Sequence, residues 1–178
     1  MKTEFIGITR SLAIGGATDF SFVDEESKWR GSEVHRMIQL FDECKLEERT
    51  VPNEMRGYLN AHKKFRAETG FIAQLIEHKV QSKDFRIRGR IDRMGLMKGK
   101  PSIVDFKTGA IDPAVALQLC LGGFLLDPTK WFHRYAVRLK PDGNYSITPF
   151  KLIDWGSDLA TALAFVRASQ WKSQHKKV

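Results

Sequence analysis

Cysteine is scarce. The 178-residue chain holds two, Cys44 and Cys120, too few for a four-cysteine zinc site or an iron–sulfur cluster. Each falls in an apolar helical pattern, so both are expected to be buried thiols in a reducing compartment. Long apolar runs are missing as well. No stretch could span a bilayer, and the opening MKTEFIGITRSL lacks the continuous apolar segment of a secretory leader, so the expected location is the cytoplasm. There is no repeat, no low-complexity tract and no obvious linker, which points to a single domain over 1–178. Acid is in deficit: 21 Asp and Glu against 29 Lys and Arg leave a net charge of +8. That excess favours a polyanionic partner, nucleic acid or an acidic membrane surface, and says nothing about fold.

What is present reads as alternating helices and strands. SLAIGGATDFSF is expected to be irregular, with at most a short strand. GSEVHRMIQLFDECKL has apolar residues at helical spacing, with Ser32 as N-cap, and PNEMRGYLNAHKKFRAETG continues as a second helix, weakened by Gly57 and ended near Gly70. FIAQLIEHKVQS, FRIRGRIDRMGLM and SIVDFK read as three strands. Asp112-Pro113 opens a helix, AVALQLCLGGFLL, that is apolar on most sides. Two further strands flank Pro141-Asp142-Gly143, a hairpin signal. A last helix begins near Ser157, and the basic tail with Lys172, Lys176 and Lys177 is expected to be frayed and solvated. The order α–α–β–β–β–α–β–β–α predicts an α/β or α+β sandwich, one sheet with helices on both faces.

The stretch SIVDFKTG is either a surface ion pair or half of an active site. Along a strand, Asp105 and Lys107 point one way and Phe106 the other. One strand back, in GRID, Asp92 can lie opposite Asp105, and two facing carboxylates repel unless a cation sits between them. Hard oxygen ligands suit Mg²⁺ or Mn²⁺. A metal and an amine converging on one point suit phosphodiester hydrolysis: the metal activates water and binds a phosphate oxygen, and the amine stabilises developing charge. Other acid-x-Lys triplets occur in the chain. Glu43-Cys44-Lys45 falls in a helical pattern, where the two charges diverge, and reads as a solvated face; Glu77-His78-Lys79 lies on a strand and stays open.

Taken in order, Gly31 and His35 in GSEVH, Gly89 and Asp92 in GRID, VDFKTG, and Gln118 in QLCLGG resemble the RecB-like, phage-exonuclease-type branch of the PD-(D/E)XK nucleases. The resemblance spans residues 30–125. It implies an αβββαβ core with a central mixed sheet, a single nuclease domain, and a metal-dependent DNA nuclease, exonuclease first, acting in recombination, repair or phage DNA processing in a bacterial or phage-infected cytoplasm. It implies His35, Asp92, Asp105 and the carbonyl of Phe106 as ligands of Mg²⁺ or Mn²⁺, Lys107 as the catalytic lysine, Glu77 as an extra acid near a second metal, and Gln118 as a contact to DNA or to the metal shell. The family's helix usually reads Gln-x-x-x-Tyr; here Gly122 stands in the tyrosine's place and leaves room. DNA is the expected partner, with no membrane; a recombination protein partner and the oligomeric state stay open. Two other readings remain: a catalytically silent DNA-binding accessory subunit, and an RNA-processing nuclease.

Overall fold

The computed structural model describes residues 5–19 and 24–175. Six strands and five α-helices run β1 (Ile6–Gly7), α1 (Ile8–Gly15), α2 (Glu25–Asp42), α3 (Asn53–Thr69), β2 (Ile72–Ser82), β3 (Ile87–Met97), β4 (Lys100–Lys107), α4 (Val115–Leu126), β5 (His133–Leu139), β6 (Tyr145–Phe150) and α5 (Trp155–Gln174). They build one mixed sheet in the order β1-β3-β4-β5-β6, with β2 also on β3. The β2–β3, β3–β4 and β5–β6 pairs are antiparallel; β1–β3 and β4–β5 are parallel. The parallel β4–β5 pair needs a crossover, and α4 supplies it.

β2 lies along β3 from Ile87 to Leu96 and so takes one whole edge. The other edge is shared. β1 pairs with Ile87 and Arg88, and β4 pairs only from Arg93 onward. Between them, residues 89–92 have no strand partner on that side.

Two apolar cores fill the two faces, as the alternation of SIVDFK requires. Ile103 joins Ile8, Leu12, Ile87, Ile91 and Leu121 under α1, α4 and α5. Val104 and Phe106 join Val34, Ile38, Leu59 and Phe65 under α2 and α3. Gly57 serves this packing: a Cβ there would lie 1.7 Å from the Pro141 carbonyl oxygen, so a residue with a side chain would push α3 off the β5–β6 hairpin.

Several expectations are corrected. The stretch from residue 11, expected to be irregular, belongs to α1 as far as Gly15, and left-handed Gly16 (φ 108°) ends that helix; Phe20 to Phe22 lie outside the described residues. Helix α2 starts at Glu25, not at Ser32. Asp24 is its N-cap, accepting from the Ser27 amide at 2.7 Å, while the Ser32 hydroxyl donates to the Lys28 carbonyl inside the helix. Because α2 ends at Asp42, Cys44 lies beyond it, exposed and left-handed (φ 57°), rather than buried. Cys120 is buried as expected, and burial pushes its thiol up to about 12. The last helix runs as far as Gln174, into the segment expected to fray, and Lys172 is not merely solvated: its ammonium donates to the Ile14 carbonyl at 2.8 Å, near the C-terminal end of α1. Lys176 and Lys177 lie outside the described residues. Among the described residues, no helix is long and apolar enough to cross a membrane.

Candidate active site

The sheet changes phase at Asp92. Ile91 packs in the α4 core, whereas the Arg93 guanidinium lies 5.7 Å from the Phe106 ring, in the opposite core. Residues two apart on a regular strand would share a side. The neighbour β2 does the same at Glu77, whose φ is 49°, a left-handed conformation that is costly for a residue with a Cβ. Ladder pairs are made by Ile76 with Arg93 and by His78 with Ile91, but Glu77 and Asp92 are left out. The β3–β4 ladder also stops at Arg93 and Val104, so Asp92 and Asp105 occupy the next row, as the sequence led one to expect. There the Asp92 carboxylate replaces a strand bond: its Oδ2 accepts from the Phe106 amide at 3.0 Å.

Helix α2 brings His35 to the same point. Its Nε2 lies 2.9 Å from the Phe106 carbonyl oxygen, and its Nδ1 lies 3.4 Å from Asp92 Oδ2. A carbonyl can only accept, so Nε2 carries the proton and donates. Nδ1 of the neutral ring then presents a lone pair to a carboxylate oxygen, which is stable only with a proton or a cation between them. Ligand atoms of His35, Glu77 and Asp92 all lie within 4.8 Å of one another. The donor set is one imidazole and two carboxylates, and it fits a divalent cation. Asp105 and the Phe106 carbonyl border this group; the carbonyl faces the His35 ring.

Asp105 points toward α4. Its Oδ1 accepts from Gln118 Nε2 at 3.0 Å, and its Oδ2 pairs with the Lys107 ammonium at 2.8 Å. The carboxyl is 3% exposed, and Oδ2 makes no aligned hydrogen bond in spite of that ion pair. Burial pushes Asp105 up to about 6; Lys107 opposes the shift and Asp92 adds to it. For Lys107, burial acts downward, but the Asp105 and Asp92 carboxylates outweigh it and hold the amine above its ordinary value. The lysine keeps partial access to water, whereas its partner has almost none, so desolvation weighs more on the acid.

Behind these groups lies a buried brace that pattern reading missed. Arg93, with no exposed surface, donates from Nε to Asp42 Oδ2 at 2.6 Å, and from Nη1 to Glu77 Oε1 at 3.1 Å and to the Asp92 carbonyl at 2.6 Å. Asp42 Oδ1 also receives His62 Nε2 at 2.8 Å and Arg66 Nη1 at 2.9 Å. Burial acts to raise Asp42, but His62 and Arg93 outweigh it and hold the carboxyl below its usual range. Burial lowers His62, against the pull of Asp42. Arg90 and Arg93 both reach Glu77, Arg90 from outside at 2.7 Å. Burial, and then the Asp92 charge, raise Glu77. The signal that could have found the brace is charge in a buried phase: Asp42 and His62 fall among the apolar positions of their helices, and Arg93 among those of its strand.

These acid-x-Lys triplets separate. Asp105 and Lys107 pair beside the His35 group. Glu77 joins that group, while Lys79 is exposed and has no ion-pair partner among the described residues. Glu43 and Lys45 form a surface pair at 2.8 Å beyond the end of α2. A groove of about 1270 Å³ runs past His35, Glu77, Asp92, Lys107 and Gln118, and Gly31 and Thr108 also line it.

No family model matches the chain, and no curated protein matches it. Among solved structures, a candidate exonuclease from Eubacterium rectale superposes with a TM-score of 0.58 at 10% identity, over 99% of this chain and 89% of that one. An alkaline exonuclease from Laribacter hongkongensis gives a TM-score of 0.40 at 11% identity, over 96% of this chain and 92% of that one. At such identities the likeness is one of fold: over nearly its whole length this chain shares the fold of the first of these structures.

Proposed function

We propose that this protein is a metal-dependent deoxyribonuclease, one nuclease domain that hydrolyses phosphodiester bonds from DNA ends. The observation that carries the reading is a juxtaposition. A cation-competent group of His35, Glu77 and Asp92 lies in one groove with a buried carboxylate, Asp105, that holds an amine, Lys107. The exonuclease-like fold and the net charge of +8 support a DNA substrate.

The roles follow from chemistry. His35, Glu77 and Asp92 would hold one divalent cation, Mg²⁺ or Mn²⁺, with Asp105 and the Phe106 carbonyl at its border. Such an ion supplies Lewis acidity and a water of lowered pKa. Hydrolysis makes a bond from a water oxygen to phosphorus, breaks the bond from phosphorus to one sugar oxygen, and returns a proton to that oxygen. The Lys107 ammonium faces the charge that gathers on the phosphate oxygens. Asp105 keeps the amine in place, and Gln118 fixes the rotamer of Asp105. The Phe106 peptide orients two ligands at once: its N–H holds Asp92 and its carbonyl holds His35.

One assay tests the reading. End-labelled linear single strands, linear duplexes and circular DNA are incubated with Mg²⁺, with Mn²⁺ and with EDTA. The expected result is metal-dependent loss of linear DNA, sparing circles, abolished in Asp105→Asn. Cleavage that persists in EDTA would refute the metal role; binding without cleavage under every condition would favour a silent accessory subunit.

A further inference from the structure

The gap in the sheet between the end of β1 and the last rows of β4 opens into a slot of about 300 Å³ that adjoins the main groove. We propose that this slot receives one unpaired nucleobase, that of the nucleotide next to the scissile phosphate at a DNA end. The inference rests on the nuclease reading above and adds to it the form of end that is accepted.

Four observations define the occupant. The walls are apolar: Ile8, Ile91, Ile103 and Leu119 are all buried side chains that line the slot. One side is a strip of bare strand, residues 89–92 of β3, with β2 on its far edge and no strand on this one. Peptide N–H and C=O groups on an open edge lie in the plane of the sheet and seek partners. A heterocycle with apolar faces and a hydrogen-bonding rim matches such a cleft better than a sugar or a phosphate does. The inner end shares Asp92 and Gln118 with the groove, so a base in the slot leaves its phosphate beside the acids. At the rim, Arg10 and Arg88 are exposed and form no ion pair with any described residue, leaving two cations for neighbouring phosphates.

The space exists because position 122 has no side chain. A Cβ on Gly122 would lie 3.3 Å from Ile91 Cγ1, and anything longer would reach into the slot. The volume is at the lower end of ligand pockets, about 300–1,000 Å³. It has room for one ring system, and a base held between apolar walls and a bare strand edge has given up its pairing partner. A duplex end must therefore fray before its terminal base can enter, and single-stranded ends are the preferred substrate.

The test uses three end-labelled single-stranded oligonucleotides that differ only in an abasic residue at the 5′ end, at the 3′ end, or at neither. Single-turnover cleavage with Mg²⁺ and binding by fluorescence anisotropy are measured for the wild type, Gly122→Ala and Gly122→Leu, with circular dichroism to confirm folding. In the wild type, removing the base at one of the two ends should cost at least about tenfold in cleavage and in affinity, the scale of leaving one ring unburied. Gly122→Leu should handle all three oligonucleotides alike, at the reduced level, with Gly122→Ala between. Equal handling of all three by the wild type, or undiminished discrimination by Gly122→Leu, overturns the slot. If the wild type cuts none of them, the nuclease reading fails, and the binding ratios alone decide on the slot. If Gly122→Leu does not fold, Gly122→Ala and the wild type decide.

Discussion

Replacing Asp105 by Asn should destroy catalysis and stabilise the metal-free protein. A carboxyl that titrates at about 6 in the folded state, against an ordinary 3.8, holds its proton more tightly when folded than when unfolded. Its ionisation therefore costs stability, by about 3 kcal/mol for a difference of that size. The sign sets the window. The penalty is absent below about pH 4, grows as pH rises from 3.8 to 6, and is fully present at neutral pH. Asparagine imitates the protonated carboxyl, keeps the contact with Gln118, and leaves Lys107 with enough access to water to stay charged. In EDTA, wild type and Asp105→Asn should have equal stability near pH 4 and differ by about 3 kcal/mol at pH 7.5, roughly 6–12 °C in Tm for a chain of this length. Urea unfolding at several pH values measures this directly. Adding Mg²⁺ should narrow the gap, because a cation that favours ionised Asp105 stabilises the wild type selectively. Parallel stability curves for the two proteins across this window would refute the argument, and with it the placement of Asp105 as a desolvated acid.

Three more outcomes follow from the same geometry. Lys107→Ala should lower kcat by roughly 10²–10³-fold, the scale of one lost electrostatic stabiliser, while Lys79→Ala weakens DNA binding modestly and leaves kcat nearly unchanged; single-turnover kinetics at saturating enzyme separates the two. Arg93→Ala removes the guanidinium that the buried Asp42 and Glu77 carboxylates share and should cost about 3–5 kcal/mol in denaturant unfolding, with Arg93→Lys recovering part of the loss, since it restores the charge and not the fork. In native protein a thiol reagent should modify Cys44 and spare Cys120, read by mass spectrometry; modification of both would contradict the packing of α4 against the sheet.

Much of this was written in the sequence, for identifiable reasons. The facing of Asp105 and Lys107, with Phe106 opposed, needs only the two-residue period of a strand. A long apolar helix after Asp112-Pro113 and a helix stop at Gly70 are equally local. The rest depends on contacts far apart in the chain or on backbone that no pattern announces. Asp42 meets His62 and Arg93 across 20 and 51 residues. Nothing in QLIEHKV marks Glu77 as the left-handed residue where the strand turns over. Helix α1 is one short run ending in Gly-Gly, whose composition reads as loop while its burial against α5 makes it helix. At Cys44 the apolar spacing continues two residues past the point where the backbone of α2 stops.

The exchange of faces at Glu77 and Asp92 has a mechanical consequence. The acids stand on a fold line: one side of it answers to the packing of α1, α4 and α5, the other to that of α2 and α3, and His35 reaches the line from the second side alone. Loosening either core shifts one part of the ligand set against the other before either set of helices melts. Affinity for the metal should therefore fall at lower denaturant concentration than helical ellipticity does, and the site should report the alignment of two cores more sensitively than it reports the integrity of either.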